Sequence, residues 1–201
     1  MILQIPAPGS FQDERTLVEE CRKGDETAFT ALVKKFHRKA FGVAYQLVND
    51  FEDATDAVQE AFLSVYKSIS QLREPKAFRA WFYQIVTNLC YNVLRRRAQA
   101  QVSSLETAME ETGGYEFPGG RRRVDTPPER ARAEELKQRL MKEIGKLPPQ
   151  QKTALVLRTM RNMSFKDISH VMKCSEKTVR AHVFFAREKL RKDVRRYEEG
   201  F

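Results

Sequence analysis

This sequence of 201 residues predicts an all-α protein: two small helical domains joined by a flexible linker, with a helix-turn-helix in the second. Three observations carry that expectation. From Asp13 to about Gln99 apolar residues recur with helical period, and a single proline, Pro75, interrupts them. Between Gln101 and Pro128 the chain has Gly113-Gly114, Pro118-Gly119-Gly120 and Pro127-Pro128 among few apolar residues, too little to offset the entropy of ordering. From Glu129 the helical signal returns, and no strand-like alternation of useful length occurs anywhere.

The elements follow in order. Residues 1–12 hold Pro and Gly and read as a flexible arm. Leu17 and Cys21 mark a first helix, broken at Gly24-Asp25. Phe29, Leu32, Val33 and Phe36, then Phe41, Ala44, Tyr45 and Val48, carry the pattern on to Asn49-Asp50. Ala54, Val58, Ala61, Phe62, Val65 and Ile69 share one face of the next helix. After a loop at 70–78, Trp81, Phe82, Ile85, Leu89 and Val93 stripe another, with Pro75 placed where it costs no internal hydrogen bond. Ala133, Leu136, Leu140 and Ile144 open the second domain, Leu147-Pro148-Pro149 breaks it, and Ala154, Leu155, Val156 and Leu157 follow. The domains are expected at 13–100 and 129–197, with the linker at 101–128.

Composition narrows the function classes. Thirty-six Lys and Arg against 27 Asp and Glu leave a net charge of +9, which attracts polyanions, nucleic acid before membrane. No apolar run approaches a membrane span, and the N-terminus lacks the basic and apolar segments of a secretory signal. Cys21, Cys90 and Cys174 have neither disulfide-framework nor zinc-finger spacing, so a reducing, cytoplasmic setting is expected. There is no Gly-rich phosphate loop and no nucleophile motif. His170 and Cys174 stand four apart without further ligands nearby, so neither metal nor cofactor is expected, and no enzymatic activity.

Two stretches suggest DNA. In 164–192, Ser164 can cap one short helix, with Asp167 placed for a capping box, and Ser175 can cap a second. Phe165, Ile168, Val171 and Met172 in the first, and Val179, Val183, Ala186 and Leu190 in the second, form the buried faces. The gap at Lys173-Cys174 has the length of a helix-turn-helix turn, whose second helix enters the major groove with its N-terminal residues. Lys177, Thr178, Arg180, Ala181 and His182 are then the groove-facing positions, with Arg187, Lys189, Arg191 and Lys192 extending the basic face. In 78–99, Trp81 and Phe82 read as core. Asn88, Asn92 and Arg95 share a face whose amides can read a base edge. Arg96 and Arg97, with Arg73, Lys76 and Arg79 near the preceding loop, add the charge that suits single-stranded DNA.

Four segments in this order resemble the extracytoplasmic-function sigma factors: 54-ATDAVQEAF-62, 80-AWFYQIVTNLCYNVLRRR-97, 147-LPPQQKTALVLR-158 and 164-SFKDISHVMKCSEKTVRAHVFFAREKLR-191. The resemblance runs from about Ala28 to Arg191. It implies a dissociable subunit that directs core RNA polymerase to promoters, of the kind serving stress or envelope responses, and an anti-sigma protein that holds it inactive. It also implies site residues. Asp53, Asp56, Gln59, Glu60 and Leu63 would meet core polymerase. Arg73, Lys76, Arg79, Asn88, Asn92, Arg95, Arg96 and Arg97 would meet the melted −10 strand. Lys177, Thr178, Arg180, Ala181, His182, Phe185 and Arg187 would meet the −35 duplex.

The sequence departs from the family pattern in places. Lys173 stands where the turn usually has Gly, which predicts a strained positive φ. His182 and Phe185 replace common arginines, so the −35 preference need not follow the family. The competing expectation is a free-standing helix-turn-helix regulator with an N-terminal sensor or dimerisation bundle. On a linker that leaves the domain spacing unfixed, the protein without polymerase is expected to bind promoter DNA weakly.

Overall fold

The computed structural model describes residues 13–103 and 139–198, with side chains described over 13–100 and 139–192. Local signals set the first three helices. α1, Glu14–Arg22, has Arg15 and Glu19 paired at 2.9 Å, one turn apart on its outer face. It buries Leu17, Val18 and Cys21 and ends at Gly24, whose φ of +90° needs a residue without Cβ. Asp25 then caps α2, Glu26–Val48, accepting from the amides of Thr27 (2.7 Å) and Ala28 (3.0 Å). Asn49, left-handed at φ 54°, closes α2 by donating its amide to Tyr45. Asp50 at once caps α3, Phe51–Ser68, through the amide of Asp53 at 2.9 Å. Two capping residues thus replace a loop between α2 and α3.

The segment expected as a loop contains two short 3₁₀ turns, Ile69–Gln71 and Pro75–Ala77, before α4, Phe78–Ser103. α4 continues three residues into the segment expected as linker. The core joins these helices through rings: Phe36 meets Phe78 at 5.2 Å and Phe82 at 5.5 Å, edge to face, and Phe62 meets Phe82 at 5.2 Å. Phe36, Phe78 and Phe82 are fully buried, as the core reading of Phe82 requires, while Trp81 is half-buried.

In the second half, residues 139–145 are helical, and the apolar positions Ala133 and Leu136 lie outside the described residues. α5 is Pro149–Met160, α6 is Phe165–Met172 and α7 is Glu176–Glu198. The caps form where the sequence places them. The Ser164 hydroxyl accepts the Asp167 amide at 3.0 Å and donates to the Asp167 carboxylate at 2.6 Å. Asp167 therefore reaches the capping hydroxyl, whereas a capping box would send it to the Ser164 amide. Ser175 accepts the Thr178 amide at 3.1 Å. Between α6 and α7, Lys173 takes the left-handed conformation expected of it, φ 51°.

The two halves touch. α2 and α4 pack on α5 and α6, and Val156, Leu157, Met163, Ile168 and Val171 belong to the same apolar cluster as Phe36 and Phe82. At this seam the hydroxyls of Tyr91 and Thr153 are 2.6 Å apart, and Gln46 donates to the Met141 sulfur at 3.4 Å. The reason lies in α4. Besides the stripe through Trp81, Phe82, Ile85, Leu89 and Val93, it carries Tyr83, Val86, Cys90, Tyr91 and Leu94, and a helix apolar on most sides is buried on more than one. Among the described residues no helix is long and apolar enough to cross a membrane, and no group of His, Cys, Asp and Glu could hold a metal ion.

Candidate nucleic-acid interface

α3 is two-faced by construction. Ala54, Ala57, Val58, Ala61, Phe62 and Val65 are buried, which turns Asp56, Gln59, Glu60 and Leu63 outward. Leu63 is 60 % exposed, an apolar side chain at the edge of an acidic face. Asp53 sits differently: it is half-buried and paired with Arg97.

That pairing reaches into α4. Arg97 donates from one amino group to the Val48 carbonyl at 3.1 Å. Its other amino group meets Asp53 and lies 3.2 Å from Asp50. One guanidinium thus satisfies a carbonyl at the end of α2 and answers the cap and first-turn carboxylates of α3. Arg79, at the other end of α4, is likewise engaged: it grips Glu14 of α1 with three contacts of 2.6–2.8 Å. Asn88, Asn92, Arg95 and Arg96 are exposed, with Arg95 donating to Asn92 at 3.4 Å, a long contact that holds neither firmly. Lys76 is exposed on the second 3₁₀ turn, and Arg73 is exposed in the bend before it. A cleft of ≈ 400 Å³ separates the faces, with Asp53, Asp56 and Glu60 on the α3 wall and Arg96 and Arg97 on the α4 wall.

In the helix-turn-helix, Val179, Val183 and Ala186 are buried and Leu190 partly so, leaving Lys177, Thr178, Arg180, Ala181, Phe185 and Arg187 exposed. His182 is half-buried. The Thr178 hydroxyl lies 2.8 Å from that of Ser175, which ties it to the cap. Phe184, which the sequence reading passed over, is 59 % exposed and stands edge to face with Phe185 at 5.6 Å. The spacing held the signal: with Val183 and Ala186 both facing the core, neither phenylalanine between them can join it. Cys174 in the turn is half-buried, and burial pushes its thiol pKa up, so it is a poor nucleophile at neutral pH.

The sequence-predicted positions therefore fall into two groups. Arg79 and Arg97 are held by carboxylates of the protein itself, while Asn88, Asn92, Arg95, Arg96 and the first turns of α7 face outward.

Comparison with known proteins places the chain in a family. Residues 32–100 match Sigma-70 region 2, and residues 137–190 match Sigma-70, region 4. The chain is 33 % identical over 181 residues to the RNA polymerase sigma-H factor of Pseudomonas aeruginosa, covering 90 % of this chain and 93 % of that one. It is 33 % identical over 175 residues to the ECF RNA polymerase sigma-E factor of Escherichia coli K12, covering 87 % and 91 %. Its fold is that of CnrH, solved in complex with the cytosolic domain of CnrY, at a TM-score of 0.64 and 23 % identity over 89 % of this chain and 95 % of that one. It is also that of the sigma factor RpoE solved with the anti-sigma factor NepR from Bartonella quintana, at 0.68 and 18 % identity over 83 % and 96 %. With both sigma regions in order and such identity along nearly whole chains, this protein belongs to the extracytoplasmic-function sigma factors.

Proposed function

We propose that this chain binds core RNA polymerase and directs it to promoters, with three surfaces dividing the work. The α3 face of Asp53, Asp56, Gln59, Glu60 and Leu63 docks on core polymerase. The outer side of α4, through Asn88, Asn92, Arg95 and Arg96 with Arg73 and Lys76 nearby, holds the melted −10 strand. The N-terminal turns of α7, from Lys177 to Arg187, read the −35 duplex. Residues 13–100 and 129–197 act as the two functional units, with 101–128 between them. The protein performs no chemistry itself and works in the cytoplasm, where core polymerase is.

The observation that carries the reading is the exposure pattern. One chain buries Val58 and Phe62 to present an acidic face on α3, and buries Val179 and Val183 to present Lys177 and Arg180 on α7. An acidic surface repels DNA and suits a protein partner, whereas the basic ones suit phosphate. Support for an anti-sigma partner comes from the solved complex of similar fold with NepR.

The test is reconstitution. Purified core polymerase with this protein should yield promoter-specific transcripts from a genomic library. Reversing charge at Asp56 or Glu60 (D56K, E60K) should weaken core binding at least about tenfold, since like-charge juxtaposition across an interface costs several kcal/mol. Urea unfolding of those variants should stay near wild type, because both side chains are exposed. A protein that neither co-purifies with core nor supports initiation would remove the reading.

A further inference from the structure

One aromatic ring in the helix-turn-helix carries two guanidinium groups. Phe165, the first residue of α6, is half-buried, and Arg180 lies over its ring at 4.2 Å from the centroid. Arg158, from α5, lies over the same ring at 4.6 Å. Arg158 is itself anchored, donating to the Met163 carbonyl at 2.8 Å, and is half-buried. The order of support therefore runs from the scaffold, through Arg158 and Phe165, out to Arg180. Among the described residues Arg180 otherwise has a loose charge partner, Glu176 at 3.9 Å one turn back, and its side chain is 61 % exposed.

We propose that Phe165 is a positioning residue for Arg180, holding its guanidinium in one orientation on the DNA-reading side of α7. The proposal rests on the reading that this face meets the −35 duplex. Stacking and ion pairing do different things to an arginine. A carboxylate consumes its N–H donors, whereas a ring engages the flat π face and leaves the donors, all in the guanidinium plane, directed outward. Those donors are what a phosphate, or the O6 and N7 of a guanine, requires. An unsupported arginine loses substantial rotamer entropy when it is immobilised on DNA, and a side chain already seated on a ring loses less. Leu at this position would fill much of the same apolar space and could not hold the cation.

The experiment uses holoenzyme, core polymerase with the full chain, and the −35 sequence it recovers from a randomised duplex library. Binding to a promoter fragment carrying that −35 sequence is compared with a fragment in which it is scrambled. F165L should weaken binding to the intact fragment roughly 2- to 5-fold, the worth of one exposed cation–π contact. F165Y, which keeps the ring, should bind like wild type. In an R180A background, F165L should have no further effect. If wild-type holoenzyme does not distinguish the two fragments, the −35 reading falls and the proposal with it. If wild type does distinguish them but F165L binds like wild type, or weakens R180A by the same factor, the proposal alone is overturned.

Discussion

Replacing Arg97 with methionine should lower the stability of the folded protein by about 1.5–3 kcal/mol. The number is built from three contacts: the Val48 carbonyl at 3.1 Å, Asp50 at 3.2 Å, and Asp53. The guanidinium and the Asp50 carboxylate are each 42 % exposed and Asp53 is 31 % exposed, so each ion pair is worth only ~0.2–1 kcal/mol. The hydrogen bond to the carbonyl adds about 1 kcal/mol, because Val48 is buried and has little access to a replacement water. Methionine keeps the aliphatic stem, so lost packing contributes little. Urea unfolding of R97M against wild type measures the difference, and it should shrink in 1 M salt, where the Debye length falls to ~3 Å. A double-mutant cycle with D53N should show coupling between the two positions. If R97M is as stable as wild type but binds a −10 single strand more weakly, Arg97 is a DNA contact and the clip is incidental.

The other predictions concern the turn, the seam and the buried thiols. K173G should stabilise the protein by up to about 1 kcal/mol, read as a higher melting temperature, since Lys173 holds a left-handed conformation that glycine adopts without strain. T153V should cost about 0.5–1.5 kcal/mol in urea by removing the partner of the half-buried Tyr91 hydroxyl, and adding Y91F should recover most of that loss. Burial pushes the Cys90 thiol up to about 12, from an ordinary 9.0. Its contribution to stability is therefore intact below about pH 9 and is lost as the pH climbs toward 12, which pH-dependent unfolding of C90A against wild type will register. Alkylation at pH 8 followed by mass spectrometry should label Cys174 before Cys21 or Cys90, because only Cys174 is not fully buried.

Much of the molecule was legible in its sequence because the signals are local. Helical period, Ser164 and Ser175 as caps, and the breaks at Gly24-Asp25 and Asn49-Asp50 act within one turn of the chain, and the structure uses each of them. The exposed side of α3 followed from the same arithmetic: if Val58 and Phe62 face the core, Asp56, Gln59 and Glu60 cannot. Phe184 and Phe165 show where that arithmetic was left unfinished. Their neighbours' spacing marked Phe184 as exposed, but nothing in the spacing reveals that Arg158 and Arg180 converge on one ring.

By itself, then, the sequence determined the helices, their buried stripes, the two-part order and the family, because periodicity and capping depend on residues a few positions apart. Tertiary structure decided which arginines remain available. Arg79 and Arg97 read like Arg95 and Arg96 in the sequence, yet they are bound to Glu14, and to Asp50 and Asp53, across 65 and more than 40 positions of chain. It also decided that the two halves meet along α4, with Tyr91 against Thr153. Charge type is a property of the residue, but a partner is set by distance in space, and only the packed helices supply that distance.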